Sequence, residues 1–352
     1  MQISFSSQDP LVIETDLLIL PVGKEDGLAW SESAAAANSA LDGHLADAAD
    51  LDEFRGKAEA TLVLPTFGQI PARRVMLAGF GKAAEVTPPG LARAVGAALR
   101  EARTRAASSV VVALPESLPG LSPEETVRTA ALAAGLSLYR FDAYRGAGSK
   151  DERNREITQV VITAPGLSDD AGAAAIAWAA AVADGVNLAR DLGNEPGKVL
   201  TPEEFARRSL EVGAASGLDV EVLGPEELAA LGADAMLTVG GGSSHPPRLI
   251  RLAYTPEGGA DDDRVVGLVG KAITFDTGGL SLKDKNGMVG MKYDKCGGMA
   301  VLGAMRAVAA LKLPVPVTGV IASAENSVAG NAYRPNDIVT AMSGHTVEII
   351  ST

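Results

Sequence analysis

The sequence predicts an α/β fold in two domains, and three observations carry that reading. Short apolar runs with strand composition alternate with Ala-rich helical patterns, the order of a layered α/β protein. The chain has 352 residues, more than one hydrophobic core usually encloses. It is 47% hydrophobic and 21% charged, so it can bury real cores, yet only 4% is aromatic, which leaves Ala, Val and Leu to fill them.

The elements follow in order. LVIETDLLILPV (11–22), ATLVLP (60–65), RRVMLAGF (73–80), SVVVALP (109–115) and ITQVVITAP (157–165) read as strands. Between them, SAAAANSALDGHLADAAD (33–50) reads as a helix, and PPGLARAVGAALREARTRAAS (88–108) opens with prolines that suit a first helical turn. SPEETVRTAALAAGLSLYRF (122–141) starts with a capping box, Ser122 with Glu125 three residues on. The polar stretch 142–156 is a surface loop by composition. A helical run covers 169–194, and the domain boundary is placed near 165 to 175, giving domains 1–168 and 169–352. The second half starts again, with helices at 202–215, 225–232 and near 297–312. Its strands are expected at 218–224, 247–254, 264–270 and 315–324.

Composition excludes several classes. A formal charge of −13 argues against a broad nucleic-acid footprint. The single cysteine, Cys296, rules out an intramolecular disulfide framework and suits a reducing cytoplasm. MQISFSSQDPLVIETD lacks a basic segment followed by an apolar one, so no signal peptide is expected. The most apolar stretches are short, or Ala-rich and interrupted by charge, so no membrane span is expected.

Most candidate motifs have ordinary explanations. LAGFGKAA (77–84) lacks the third glycine of a dinucleotide fingerprint and reads as a tight turn. TVGGGSSHPP (238–247) has no Gly-Lys-Ser/Thr ending and reads as a flexible turn before a strand. His44, His245 and His345 show no paired-ligand spacing. Cys296 has no histidine near it in sequence and reads as a small packed residue.

The stretch 271–298 differs in kind. Lys271 ends an expected parallel strand, and loops after such strands are where α/β sites form. Asp276 lies five residues on, in a Thr-Gly-Gly turn that lets backbone pass close to a ligand. Taken singly, Lys271 is an exposed lysine and Asp294 an N-cap for the helix that follows. Taken together, two carboxylates near one strand end repel unless a cation lies between them. Oxygen ligands without thiolates or paired histidines suit magnesium, manganese or zinc. Lys271 can ligate only as a neutral amine, at a cost of about 4–5 kcal/mol at neutral pH, which metal binding can supply.

KAITFDTGGLSLK (271–283) followed by MKYDKCGGMAVLG (291–303) closely resembles the signature of the leucyl aminopeptidase, or cytosol aminopeptidase, family. NLARDLGNEPGKVLTPEEFA (187–206), VGGGSSHPPRLIRLAY (239–254) and SAENSVAGNAYRPNDIVTAMSGHTVEIIST (323–352) also resemble segments of that family. The resemblance covers about 187–352 well and the N-terminal half mainly by layout. It implies a macro-like α/β N-terminal domain and a larger α/β/α catalytic domain with a mixed central sheet. The implied reaction removes one N-terminal residue, preferably leucine or another apolar residue, from a peptide. Two divalent ions, Mn²⁺ or Zn²⁺, would bind the substrate's amine and carbonyl and activate a water.

Carried over by position, Lys271, Asp276 and Asp294 are metal ligands, with Asp276 bridging both ions. Lys283 would act on the scissile carbonyl, and Met291 would line the pocket for the N-terminal side chain. The resemblance further implies a cytoplasmic homohexamer acting on peptides. In the family, Asn-Thr-Asp-Ala-Glu-Gly-Arg follows the Thr-Val-Glu-Ile strand, where this sequence reads Ser351-Thr352 and stops. The absent acids would complete both metal sites, so an incomplete, inactive fragment is expected. The rival readings are a non-catalytic truncated paralogue and a nucleotide- or DNA-binding assembly protein.

Overall fold

The computed structural model describes residues 1–116, 118–146, 156–259 and 264–352. They form two compact units, Met1–Ala183 and Asp184–Thr352.

Unit 1 is built on a seven-stranded sheet. Its strands are β1 (Gln2–Ser6), β2 (Leu17–Lys24), β3 (Leu28–Trp30), β4 (Thr61–Pro65), β5 (Arg74–Gly79), β6 (Ser109–Ala113) and β7 (Gln159–Thr163). The order is β1-β7-β6-β2-β5-β4, with β3 paired to β2. All pairs are parallel except β4 with β5 and β3 with β2. Alternation along β2 decides what each face buries. Leu18 and Leu20 meet α1 (Glu32–Ala40) and α2 (His44–Leu51) through Ala34, Ala37 and Leu45. Leu17 and Ile19 join the opposite core, with α3 (Pro88–Thr104), α4 (Pro123–Ser137) and the first turns of α5 (Asp169–Asn194).

Two local readings need correction. The strand expected from residue 11 starts only at Leu17. Pro10–Val12 forms a 3-10 turn instead, because the Asp9 carboxylate accepts the Leu11 amide at 2.9 Å. The single helix expected over 33–50 is two helices, broken at Asp42 (φ 52°) and Gly43 (φ 87°), which reverse the chain in the left-handed region. The capping box is present, with Ser122 N donating to Glu125 Oε2 at 2.8 Å and Glu125 N to Ser122 Oγ at 3.2 Å. Of the polar stretch 142–156, residues 147–155 lie outside the described residues.

One described helix, α5, is long and apolar enough by length and composition to cross a membrane. Along it, Ala175, Ile176 and Ala179 are buried in one core and Leu192 in another.

Unit 2 carries a mixed sheet ordered β10-β11-β9-β8. These strands are β8 (Asp219–Leu223), β9 (Arg248–Tyr254), β10 (Val266–Asp276) and β11 (Val317–Asn326). Only β10 and β11 run parallel. Phe205 of α6 (Pro202–Ser216), with Met299, Leu302 and Met305 of α10 (Cys296–Ala310), packs over Ile250, Leu252, Ala272 and Ile321. Shorter helices α7 (Pro225–Ala230), α8 (Asp234–Gly240) and α9 (Lys285–Met288) connect these elements, and β12 (Ile338–Thr340) pairs with β13 (Thr346–Glu348).

The start of α6 carries a charge cluster with a pH signature. Glu204 accepts from Arg207 and Arg208 at 2.7 Å. The Arg207 hydrogen bonds, opposed by partial burial and helped by Arg208, hold its carboxyl at about 2. Its folded value lies below the ordinary one, so this stabilisation is complete above about pH 4.5 and is lost as pH falls toward 2. The site is partly exposed, so Glu204→Gln should cost only about 1 kcal/mol at neutral pH after solvent screening. Urea unfolding of both proteins at pH 7, 4 and 2.5 checks this, and the gap should narrow at the lowest pH.

Candidate metal centre

The site is built where β10 ends. The strand does not stop at residue 270: the alternation continues, with Ala272 and Thr274 fully buried on the α10 side and Lys271 and Ile273 on the other. Lys271 therefore sits within the strand, level with Ala322 of β11, and Asp276 is its last residue, level with Asn326.

The next turn is fixed by backbone geometry. Gly278 (φ 86°) and Gly279 (φ 60°) are left-handed, and a side chain at Gly278 would sit 2.6 Å from the Ser281 carbonyl. Thr277 Oγ1 donates to Asn326 O at 2.9 Å, and Lys283 N donates back to Thr277 O at 3.0 Å. That reversal returns Lys283 to the strand end, where its Nζ donates to Asp276 Oδ2 at 2.8 Å. Asp276 Oδ1 accepts from Gly278 N at 2.9 Å and from Asn326 Nδ2 at 2.8 Å. Burial pushes this carboxyl up, but Lys283, the Gly278 amide and Asn326 outweigh it and hold the group below the usual carboxylate range.

Asp294 comes from the far side. It ends a 3-10 turn, Met291–Tyr293, and α10 starts two residues later with Lys295 at the cap position, so Asp294 is not the N-cap that its place in the sequence suggests. Its Oδ1 lies 3.0 Å from Lys271 Nζ, while its Oδ2 is buried with no hydrogen-bond partner. Asn326 Oδ1 is likewise buried and unpartnered.

Lys271, Asp276 and Asp294 line one cavity of about 410 Å³. Asn326, Tyr333 and Thr352 complete its polar wall, and Met236, Val239, Ile273, Ala322 and Ala324 its apolar wall. Lys283 joins the cluster through Asp276, whereas Met291 is not among the cavity's lining residues. His44, His245 and His345 do not line it, and Cys296, read as packed, is exposed.

Sequence reasoning did not find Asn326, Tyr333 or Lys295. Only the register that sets Asn326 beside Asp276 reveals the first. Burial and the negative Asp276 push the Tyr333 hydroxyl up. Lys295 is fully buried, and burial lowers its ammonium to about 8, leaving it mostly charged at neutral pH.

This donor set fits part of a divalent cation's shell. Two carboxylates and an amine share a cavity, and a buried carboxylate oxygen stands without a donor, which is costly unless a cation or water meets it. Among the described residues no group of three or more His, Cys, Asp and Glu side chains is placed to hold a metal ion. The two lysines serve as counter-ions to the acids in this arrangement.

Fold and site together define a two-domain α/β protein with paired acids at the carboxyl end of a mixed sheet. The chain belongs to the cytosol aminopeptidase family: residues 187–352 match the model of its catalytic domain and 19–148 that of its N-terminal domain. It is 39% identical over 356 residues to a probable cytosol aminopeptidase of Geobacter sp. (strain M21), covering 100% of this chain and 70% of the relative. A probable cytosol aminopeptidase of Geotalea uraniireducens (strain Rf4) is 40% identical over 318 residues, covering 90% of this chain and 63% of the relative. Among solved structures, a tomato leucine aminopeptidase mutant superposes with TM-score 0.84 at 28% identity, over 99% of this chain and 67% of that one. The bottromycin maturation enzyme BotP in complex with Mn gives TM-score 0.79 at 31% identity, over 96% and 65%. The chain thus spans roughly two thirds of the length of these proteins.

Proposed function

We propose that the whole protein is a metal-dependent aminopeptidase that releases N-terminal residues, leucine and other apolar ones preferred, from peptides in the cytoplasm. The observation that carries this reading is the unpartnered, buried Oδ2 of Asp294 in a cavity shared with Asp276 and Lys271. The names of the relatives and the manganese complex of BotP support it. Lys271, Asp276 and Asp294 would hold divalent ions, manganese or zinc, whose chemistry is to polarise the peptide carbonyl and lower the pKa of water.

The chain's own residues would do the rest. Lys283, held beside Asp276, would donate a hydrogen bond to the carbonyl oxygen as negative charge builds there. Met236, Val239 and Ile273 offer an aliphatic side chain an apolar wall, whereas Met291, expected there from the family resemblance, does not line this cavity. The family's homohexamer is part of this proposal and is checked by light scattering.

The two lysines have different jobs in this scheme. Lys283→Ala should lower turnover on a leucine anilide at least tenfold, about 1.4 kcal/mol, with metal content near normal. Lys271→Ala should lower metal content at one position. Equal metal loss in both variants contradicts the scheme. Two carboxylates and one amine supply few ligands for two ions. A polypeptide of residues 1–352 alone should therefore hydrolyse the anilide more than about tenfold more slowly than the Geobacter relative, and comparable rates would refute that expectation.

A further inference from the structure

Lys295 is the one fully buried lysine among the described residues, and nothing in the proposed chemistry uses it. A buried ammonium costs several kcal/mol unless its protons are met. Among the described residues its hydrogen-bond acceptors are backbone carbonyls. Nζ donates to the backbone carbonyl of Glu195, at 2.9 Å, and to that of Lys292. Glu195 directly follows α5, at the negative end of the helix dipole. Lys292 Nζ donates to Asn194 O at 3.0 Å, and Tyr293 Oη to Asn194 Oδ1 at 3.1 Å. Three of the four residues 292–295 thus grip the end of α5, and the fourth is Asp294.

We propose that Lys295 is a positioning residue for the metal centre, its buried ammonium tying the turn that carries Asp294 to the end of α5 so that the unpartnered Asp294 carboxylate oxygen is held toward the cavity. This rests on the metal-centre reading above. One clasp spans 100 residues of sequence and the other closes the turn itself across three. Asp294 is held from both sides, since its own amide bonds Met291 O at 3.2 Å. An apolar side chain of equal length would fill the volume but leave both carbonyls without this donor, and the turn would be free to relax.

The test titrates Mn²⁺ into chelator-treated whole protein by calorimetry, with unfolding midpoints measured alongside. Lys295→Met should remain folded and bind Mn²⁺ about 10–100-fold more weakly, the usual loss when a residue supporting a ligand is removed. Lys295→Gln, which keeps one donor, should fall between the two and carries the test if the methionine variant does not fold. Wild-type Mn²⁺ affinity in a folded Lys295→Met or Lys295→Gln protein overturns the proposal, whatever the change in midpoint. Asp294→Asn is the reference. If it too leaves affinity unchanged, the metal-centre reading itself falls, and the assignment of Lys295 with it.

Discussion

Asp276→Asn will abolish tight metal binding at both positions and lower peptidase activity by at least about a thousandfold, roughly 4 kcal/mol of transition-state stabilisation. The substitution changes no volume, so its effect is one of charge and hydrogen-bond polarity. All three partners of the Asp276 carboxylate are donors: Gly278 N, Asn326 Nδ2 and Lys283 Nζ. An amide offers one oxygen and turns its NH₂ against whichever donors remain. If the oxygen faces Gly278 and Asn326, the NH₂ meets the Lys283 ammonium. If it faces Lys283, two neutral donors lose their acceptor.

Either way a half-buried polar group goes unsatisfied, which costs about 1–3 kcal/mol even in the metal-free protein. The Lys283 ammonium also loses its counter-ion and is no longer held at the strand end. Asp294→Asn should be milder in the metal-free state. It disturbs one ion pair, with Lys271, whose side chain is largely exposed. Metal content of dialysed protein and the unfolding midpoint separate the two variants. Normal metal stoichiometry in Asp276→Asn would sink the assignment.

Much of this architecture was legible in the sequence, for a physical reason. The central strands of unit 1, β2, β5 and β6, are buried on both faces and read as continuous apolar runs, and helices such as α4 announce themselves by a capping box. What was not legible depended on backbone conformation or distant partners. The break in 33–50 falls on Asp42-Gly43, a turn dipeptide, but the Ala-rich run around it reads as one helix, and only the left-handed backbone at both residues shows the reversal. Lys271 looked like a strand terminus because a lysine normally ends an apolar run, yet an edge strand with an open face tolerates it. Asp294 looked like a helix cap because carboxylates favour that place, but the helix begins two residues later.

The site divides the same way. Lys271, Asp276 and Asp294 stand in one compact motif, and the fold sets them around one cavity. Asn326 reaches Asp276 only through the β10–β11 register. Lys295 reads as a solvated charge until the end of α5, 100 residues earlier, supplies its acceptor.

Gly303→Ala will destabilise unit 2 by about 2–3 kcal/mol, the size of an overpacked core, although the same change in a free helix stabilises by about 1 kcal/mol. The sign is decided at a helix crossing. Gly303 of α10 faces Gly185 of α5, and a Cβ on Gly303 would lie 2.3 Å from the Gly185 carbonyl oxygen. A Cβ on Gly185 would lie 2.4 Å from the Gly303 carbonyl oxygen, so the contact is mutual. Both obstacles are backbone within helices, and no rotamer change relieves them. The helices have to separate, and Met299, Leu302 and Met305, all fully buried on α10, lose packing as they do. Gly90 near the start of α3 is the control, because a Cβ there meets nothing closer than 3.4 Å. Gly90→Ala should be neutral or stabilising, and urea midpoints of the two variants should move in opposite directions. Separation of the helices also moves the turn before α10, which carries Asp294. Gly303→Ala should therefore weaken Mn²⁺ binding in protein that is still folded, whereas Gly90→Ala should not. A Gly303→Ala protein as stable as wild type would show that α5 and α10 do not cross this closely, and would remove the support that places Asp294 at the cavity.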